Sequence, residues 1–337
     1  MENYLKVIEI LRQNGNVYIQ TPYYNYSPFW SFWLLACSYV ANWLNLSIPF
    51  VIRATLSIFN AFNALIIFRI SERITGLSMV PVAFYALNPA IILTVGYHGQ
   101  FEVLAMFPVL LAIDLHLRVP SQSRIWLLGT LAILIKQIVL FNVLTLFVYA
   151  VPTKRRSVLM IILSVIVFFL SFLPYLSSSR QIGINVFGHA GDIGSFGIAR
   201  QLPVFYTMPL FLVGMTLFPF LSKYRFNLTI LEGLLVSSLA FVVFAPGFYA
   251  HYLVIPILAG ALVPSVYYYI FIFISLDAIL RYHFGKGMPL IIAPLTWLYA
   301  AIFFAKHFLI FKRPSWAVHN LMMYEDFMQI AARRKFG

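Results

Sequence analysis

Few residues in this chain can do chemistry, and they are grouped. Glu102 closes the turn Gly96-Tyr97-His98-Gly99-Gln100-Phe101. Lys136-Gln137 interrupts an apolar run, and His251 ends the polar stretch Gly247-Phe248-Tyr249-Ala250 just before another. The first 28 residues hold Glu2, Glu9 and the run Tyr23, Tyr24, Asn25, Tyr26, Ser27, Pro28. A further polar loop, 177–202, carries five glycines with Arg180, His189, Asp192 and Arg200. A carboxylate within reach of a hydroxyl can take its proton. Lysine, arginine and histidine can hold an anion such as a phosphate. Ionisable groups within an apolar setting are costly and tend to face cavities.

Each of these residues also has a plainer role open to it. His98 and Gln100 can cap and join two helices. Glu102 at a helix start suits the positive end of that helix. Tyr23, Tyr24 and Tyr26 can form an aromatic belt. His251 can cap a short helix or meet a headgroup or diphosphate. Lys136 at a helix break faces a cavity and is placed to meet a phosphate. Asp114, His116 and Glu232 read as structural, and Glu9 as a solvated-face residue. No metal-ligand signature, phosphate-cradling glycine loop or soluble nucleotide fold is visible, so any cofactor is unknown, with a divalent cation open.

The elements that must position these groups are membrane helices. Of the 337 residues, 62% are hydrophobic and 10% charged, with mean hydropathy +0.89, whereas soluble domains carry about 25% charged residues. The single cysteine, Cys37, excludes an intramolecular disulfide and a zinc–thiolate cluster and reads as a packing residue. The first ~25 residues lack the apolar core of a signal peptide. A net charge of +13 reads as orientation and contact with anionic lipid rather than nucleic acid.

Apolar runs predict an all-α polytopic integral membrane protein with about 11 transmembrane helices, at 50–70, 77–96, 101–117, 125–136, 138–151, 157–176, 203–222, 226–246, 252–264, 265–281 and 288–311. Several are shorter than the ~20 residues that span a bilayer, which implies a cavity reaching into the membrane. Residues 28–46, rich in Trp and Tyr, read as an external juxtamembrane helix at the interface. The expected organisation is one membrane domain, 1–311, made of an external loop and interfacial helix (1–49) and a helical bundle (50–311), followed by a basic cytoplasmic tail, 312–337. Fourteen of the 23 Lys and Arg residues fall in one set of alternate loops and the C-terminal tail. That set is therefore cytoplasmic, and the grouped polar residues lie outside.

On these residues the chain resembles the GT-C superfamily of polyprenyl-phosphate-sugar-dependent glycosyltransferases. NGNVYIQTPYYNYSPFW, the helix that follows and Arg53 resemble that family's first external loop, juxtamembrane helix and second membrane helix. Asn88-Pro89 with His98-Gly99-Gln100-Phe101-Glu102 resembles a pattern frequent in its mannosyl- and glucosyltransferase branches. Lys136-Gln137 and FYAHYLVIP at 248–256 are weaker echoes. The resemblance implies transfer of a hexose, mannose before others, from a polyprenyl-phosphate donor to a lipid or glycan acceptor on the external face of a membrane, the plasma membrane of a prokaryote before others. It implies that Glu102 assists a base or holds a divalent ion, that Lys136, His251 and Arg200 contact the phosphate, and that Tyr24 and Tyr26, with His98 and Gln100, line the substrate path. The family's leading acid precedes the stretch matching Asn3-Tyr4. Glu2 is the acid nearest that place, and the expectation is a chain lacking the family's first transmembrane helix. A lipid-linked sugar transporter or polymerase-like protein, and a non-catalytic partner of such an enzyme, stay open. The first of these should show repeated halves, and none is visible.

Overall fold

The computed structural model describes residues 1–76, 79–188, 204–245 and 249–263, with Ile272, Ser275, Leu276 and Leu280. Arg200, His189, Asp192, the expected spans 265–281 (four residues aside) and 288–311, and the tail 312–337 lie outside the described residues. Every regular element among the described residues is helical. In chain order these are α1 (Glu2–Arg12), α2 (Val17–Gln20), α3 (Pro28–Leu44), α4 (Ile48–Thr75), α5 (Met79–Ala86), α6 (Pro89–Ile92), α7 (Glu102–Arg118) and α8 (Gln122–Ile135). They are followed by α9 (Leu140–Ala150), α10 (Lys154–Leu170), α11 (Ser179–Ile182), α12 (Val204–Phe220), α13 (Ile230–Phe244) and α14 (Val254–Ala261).

The boundaries have local causes. α1 is amphipathic: Tyr4, Val7, Ile8 and Ile10 are buried while Lys6 and Glu9 stay exposed, and its buried face packs on α3. α3 begins with Pro28 at its first position, where a missing N–H costs nothing, and ends at Asn45 in the left-handed region. α4 starts on a Ser47 cap and stops at Gly76, φ +69°. The turn between α8 and α9 forms because Lys136 is extended, φ −153° and ψ 116°, which breaks the helix at its own position.

α4, from Ile48 to Ile74, is the one helix among the described residues both long and apolar enough to cross a membrane unbroken. Two more candidates are bent pairs. Met79–Ala86 with Pro89–Tyr97 turns by 46°, and Lys154–Leu170 with Leu173–Val186 by 65°. Pro89 is the first residue after one break and Pro174 the second residue after the other; neither can continue the preceding helix. The other apolar helices are shorter. At 1.5 Å per residue, α8 reaches about 21 Å, against a hydrocarbon core of about 30 Å.

α7 is central, buried from Glu102 through Ala105 and again at Ala112–Asp114, and it packs against α4, α8, α9 and α14. Inter-helix hydrogen bonds tie this apolar bundle together, each satisfying a polar group that has no water to turn to. Asn63 Nδ2 donates to Val103 O at 2.8 Å, Asn142 Nδ2 to Ser238 Oγ at 2.7 Å, and Thr130 and Ser164 hydroxyls meet at 2.7 Å.

The α8–α9 hairpin closes tightly at Gly129. A Cβ there would lie 2.6 Å from Phe147 Cε1 and 2.9 Å from Val143 Cγ1. Gly129→Val is expected to destabilise by about 1–3 kcal/mol through overpacking. Gly214 of α12 has open space around its missing Cβ, so Gly214→Ala should stabilise by about 0.5–1 kcal/mol through helix propensity. Unfolding midpoints of the two variants in the same detergent check this, and equal shifts would sink it.

The two ends of the bundle differ. At one end Arg69, Arg73 and Arg118 surround Asp114, Lys223 Nζ donates to Val148 O at 2.7 Å, and Lys154 lies 4.4 Å from the Tyr224 ring. The other end gathers the polar segments that the sequence places on one face. Asn16 Nδ2 donates to Ser178 Oγ at 2.6 Å, Gln137 Nε2 to Asn25 O at 2.7 Å, and Asn185 Nδ2 to Tyr18 O at 3.3 Å.

Candidate functional site

Three helix ends deliver the candidate site at that second end. Glu102 is the first residue of α7, so its carboxylate sits where unpaired backbone N–H groups make the helix end positive. Lys136 lies at the α8 break, the first residue after that helix. His251 sits in the 3-10 turn Ala250–Leu253 that leads into α14. The turn before Glu102 runs through a π-helical segment, Leu93–Tyr97, and then Gly99 at φ +66°, a conformation a side chain would strain.

The three side chains converge. Lys136 Nζ donates to Glu102 Oε1, and His251 Nε2 lies 3.4 Å from the same oxygen. Glu102 is fully buried, Lys136 nearly so at 1% side-chain exposure, and His251 is buried. Aromatic rings enclose the ammonium: Phe101 at 4.3 Å, Tyr252 at 5.2 Å and Tyr26 at 5.5 Å from ring centres. These contacts favour a cation electrostatically. The other carboxylate oxygen, Glu102 Oε2, is buried and has no hydrogen-bond partner among the described residues. Such an atom is rare in a folded interior.

Beside this cluster lies a small cavity of about 100 Å³, lined by Asn3, Tyr4, Tyr23, Tyr24, Tyr26 and Gln100, with Met1 and Val7. Its walls are tyrosine rings and amides. Tyr24 is held by a 2.6 Å hydrogen bond from its hydroxyl to Ser27 O, and Tyr18 donates to Tyr26 O at 2.9 Å. Ser27 Oγ donates in turn to Leu134 O at the end of α8, which pins the N-terminal segment to the hairpin that carries Lys136. Burial pushes the Tyr24 hydroxyl above the ordinary phenol range, and so it does Tyr4, where the nearby Tyr26 and Glu102 add to the effect. Both therefore stay protonated.

The expected residues fare unevenly. Glu102, Lys136 and His251 come together, with His98 near enough to His251 to interact electrostatically. Tyr24, Tyr26 and Gln100 line the cavity, so the belt reading of Tyr24 gives way to a buried wall residue, 2% exposed. Glu2 is exposed on α1 and does not line the cavity. Its helix, α1, packs against α3. The paired state of Lys136 was not expected from the sequence: its immediate partner is Glu102. Among the described residues no three His, Cys, Asp or Glu side chains gather in a way that could hold a metal ion. Glu102 faces an ammonium, a neighbour that disfavours a divalent cation, so no metal role is assigned to it.

Tyr4 and Trp30 are the contributors the sequence reading missed. Trp30 stacks on Phe101 at 3.7 Å between ring centres with a 9° interplanar angle, and Tyr4 meets Trp30 edge-on at 5.5 Å. The signal available was the apolar period of α1, which places Tyr4 on its inner face.

Comparison with protein-family models finds no match, and no curated protein matches the chain.

Proposed function

We propose that this chain is a polytopic membrane glycosyltransferase of the GT-C type, moving a hexose from a polyprenyl-phosphate donor to a hydroxyl of a lipid or glycan acceptor. In this reading the basic end of the bundle is cytoplasmic, the site end is external, and the short helices complete a bundle of about 11 spans. The observation that carries the proposal is Glu102 Oε2, a buried carboxylate oxygen with no donor among the described residues, backed by a lysine and a histidine beside a tyrosine- and amide-lined cavity.

That arrangement suits the chemistry. The acceptor hydroxyl gives its proton to the carboxylate as its oxygen bonds to the anomeric carbon. The bond from that carbon to the phosphate oxygen breaks, and the electron pair leaves on the polyprenyl phosphate. Lys136 and His251 are the groups available to meet the departing charge. Tyrosine faces and the Gln100 amide offer the stacking and hydrogen bonding that a sugar ring uses.

The test is Glu102→Gln in a transfer assay with radiolabelled polyprenyl-phosphate mannose or glucose. General-base catalysis accounts for about 10²–10⁴-fold, so transfer per folded molecule should fall by about that factor; Glu102→Gln also leaves the Lys136 ammonium buried without its anion, so the folded fraction is measured alongside. Undiminished transfer would remove Glu102 from the mechanism.

A further inference from the structure

At the basic end, three guanidinium groups converge on one fully buried carboxylate. Arg69 Nη2 is 3.1 Å from Asp114 Oδ2, Arg73 Nη1 3.8 Å from Oδ1, and Arg118 Nε 3.1 Å from Oδ1. One carboxylate cannot satisfy three guanidiniums, each of which has five donors in a planar fork. The arginine side chains are 33, 30 and 31% exposed, so part of each fork faces outward. Counting Glu72 on the same end of α4, the cluster remains net positive.

A second observation lies on α4 itself. Ile58, Phe62 and Leu65 are 52, 45 and 53% exposed, and their spacing puts them on one helical face with Arg69 and Arg73. An exposed apolar ridge thus runs straight into the arginine cluster. From Ile58 to Arg69 it covers about 17 Å, close to one leaflet of a core about 30 Å thick.

We infer that Arg69, Arg73 and Arg118 form a binding site for the phosphate of an anionic phospholipid, whose acyl chain lies along Ile58, Phe62 and Leu65. Asp114 is the internal counter-charge that sets the three forks at one spot, and the phosphate oxygens take the donors Asp114 leaves over. Guanidinium groups suit this task because they bind phosphate through paired hydrogen bonds. The ridge supplies what a free phosphate ion could not use. The inference rests on the membrane reading above and is independent of the transfer chemistry.

Purified protein in a neutral detergent is titrated with phosphatidylglycerol, phosphatidylcholine and inorganic phosphate. Retained lipid is read by native mass spectrometry and stability by the unfolding midpoint. Phosphatidylglycerol should be retained and raise the midpoint, and the other two should do neither. Arg69→Gln/Arg73→Gln should weaken phosphatidylglycerol binding by about tenfold or more. Arg73→Gln alone removes the longest of the three pairs, and it gives a partial loss if the double variant fails to fold. Equal retention of both lipids, an equal effect of phosphate alone, or variants that bind phosphatidylglycerol as the parent does would overturn the site. A protein that stays dispersed without detergent or lipid would overturn the membrane reading together with it, whereas lipid indifference in a detergent-requiring protein overturns the site alone.

Discussion

Lys136→Met will destabilise the protein by about 3–5 kcal/mol, because it leaves the Glu102 carboxylate buried without its cation. Glu102 has no solvent exposure to fall back on, and its remaining neighbour, His251, sits 3.4 Å away. Adding Glu102→Gln to Lys136→Met should restore much of that loss, since the site then buries no unpaired charge, only a neutral amide. In the proposed transfer reading, sugar transfer should be lost in both variants. The comparison separates two roles that a single substitution confuses. Restored stability with restored transfer would make the pair a packing device, and the transfer reading would lose its acid. A single variant as stable as its parent would show that Lys136 is not what makes the buried carboxylate tolerable.

Trp30→Ala should cost about 3–5 kcal/mol, the usual range for deleting a large aromatic side chain from a packed core. Trp30 is wholly buried, stacked on Phe101 and met edge-on by Tyr4. It joins three parts of the chain: α1, α3 and the turn that carries Glu102. Trp30→Phe keeps an aromatic face and should recover about half of the loss. Unfolding midpoints of the two variants give the answer, and a change under about 1 kcal/mol for the alanine variant would contradict the packing described.

The helices were legible because apolar runs punctuated by Pro, Gly and charged residues leave little choice of boundary. The expected run 101–117 is α7, Glu102–Arg118, and 226–246 holds α13, Ile230–Phe244. The break at Lys136 was legible for the same reason, a lysine being unable to sit in an unbroken apolar helix at low cost. That 138–151 and 252–264 would begin with 3-10 turns was not, since the choice between such a turn and an α-turn depends on what packs behind it. Among the site residues, Glu102, Lys136 and His251 could each be picked out by type. Their direct contact could not, because Glu102 and Lys136 are 34 residues apart, and only the antiparallel packing of α7 on α8 decides that their ends coincide. Tyr24 shows the opposite limit. Its neighbours Tyr23 and Tyr26 look alike in sequence, yet Tyr23 is 62% exposed and Tyr24 2%, a difference set by the turn between α2 and α3 rather than by composition.

In the proposed transfer reading, the ion pair between Lys136 and Glu102 also bears on selectivity. An arriving anion does not find a vacant cation; it competes with a carboxylate tethered in place, whose effective concentration far exceeds that of a free solute. A lone phosphate ion gains too little to win that contest. A phosphate that arrives joined to a ring fitting the neighbouring tyrosine-lined cavity brings a second hold, and the two together can displace the resident partner. In that reading the protein passes over inorganic phosphate and responds to the conjugated form.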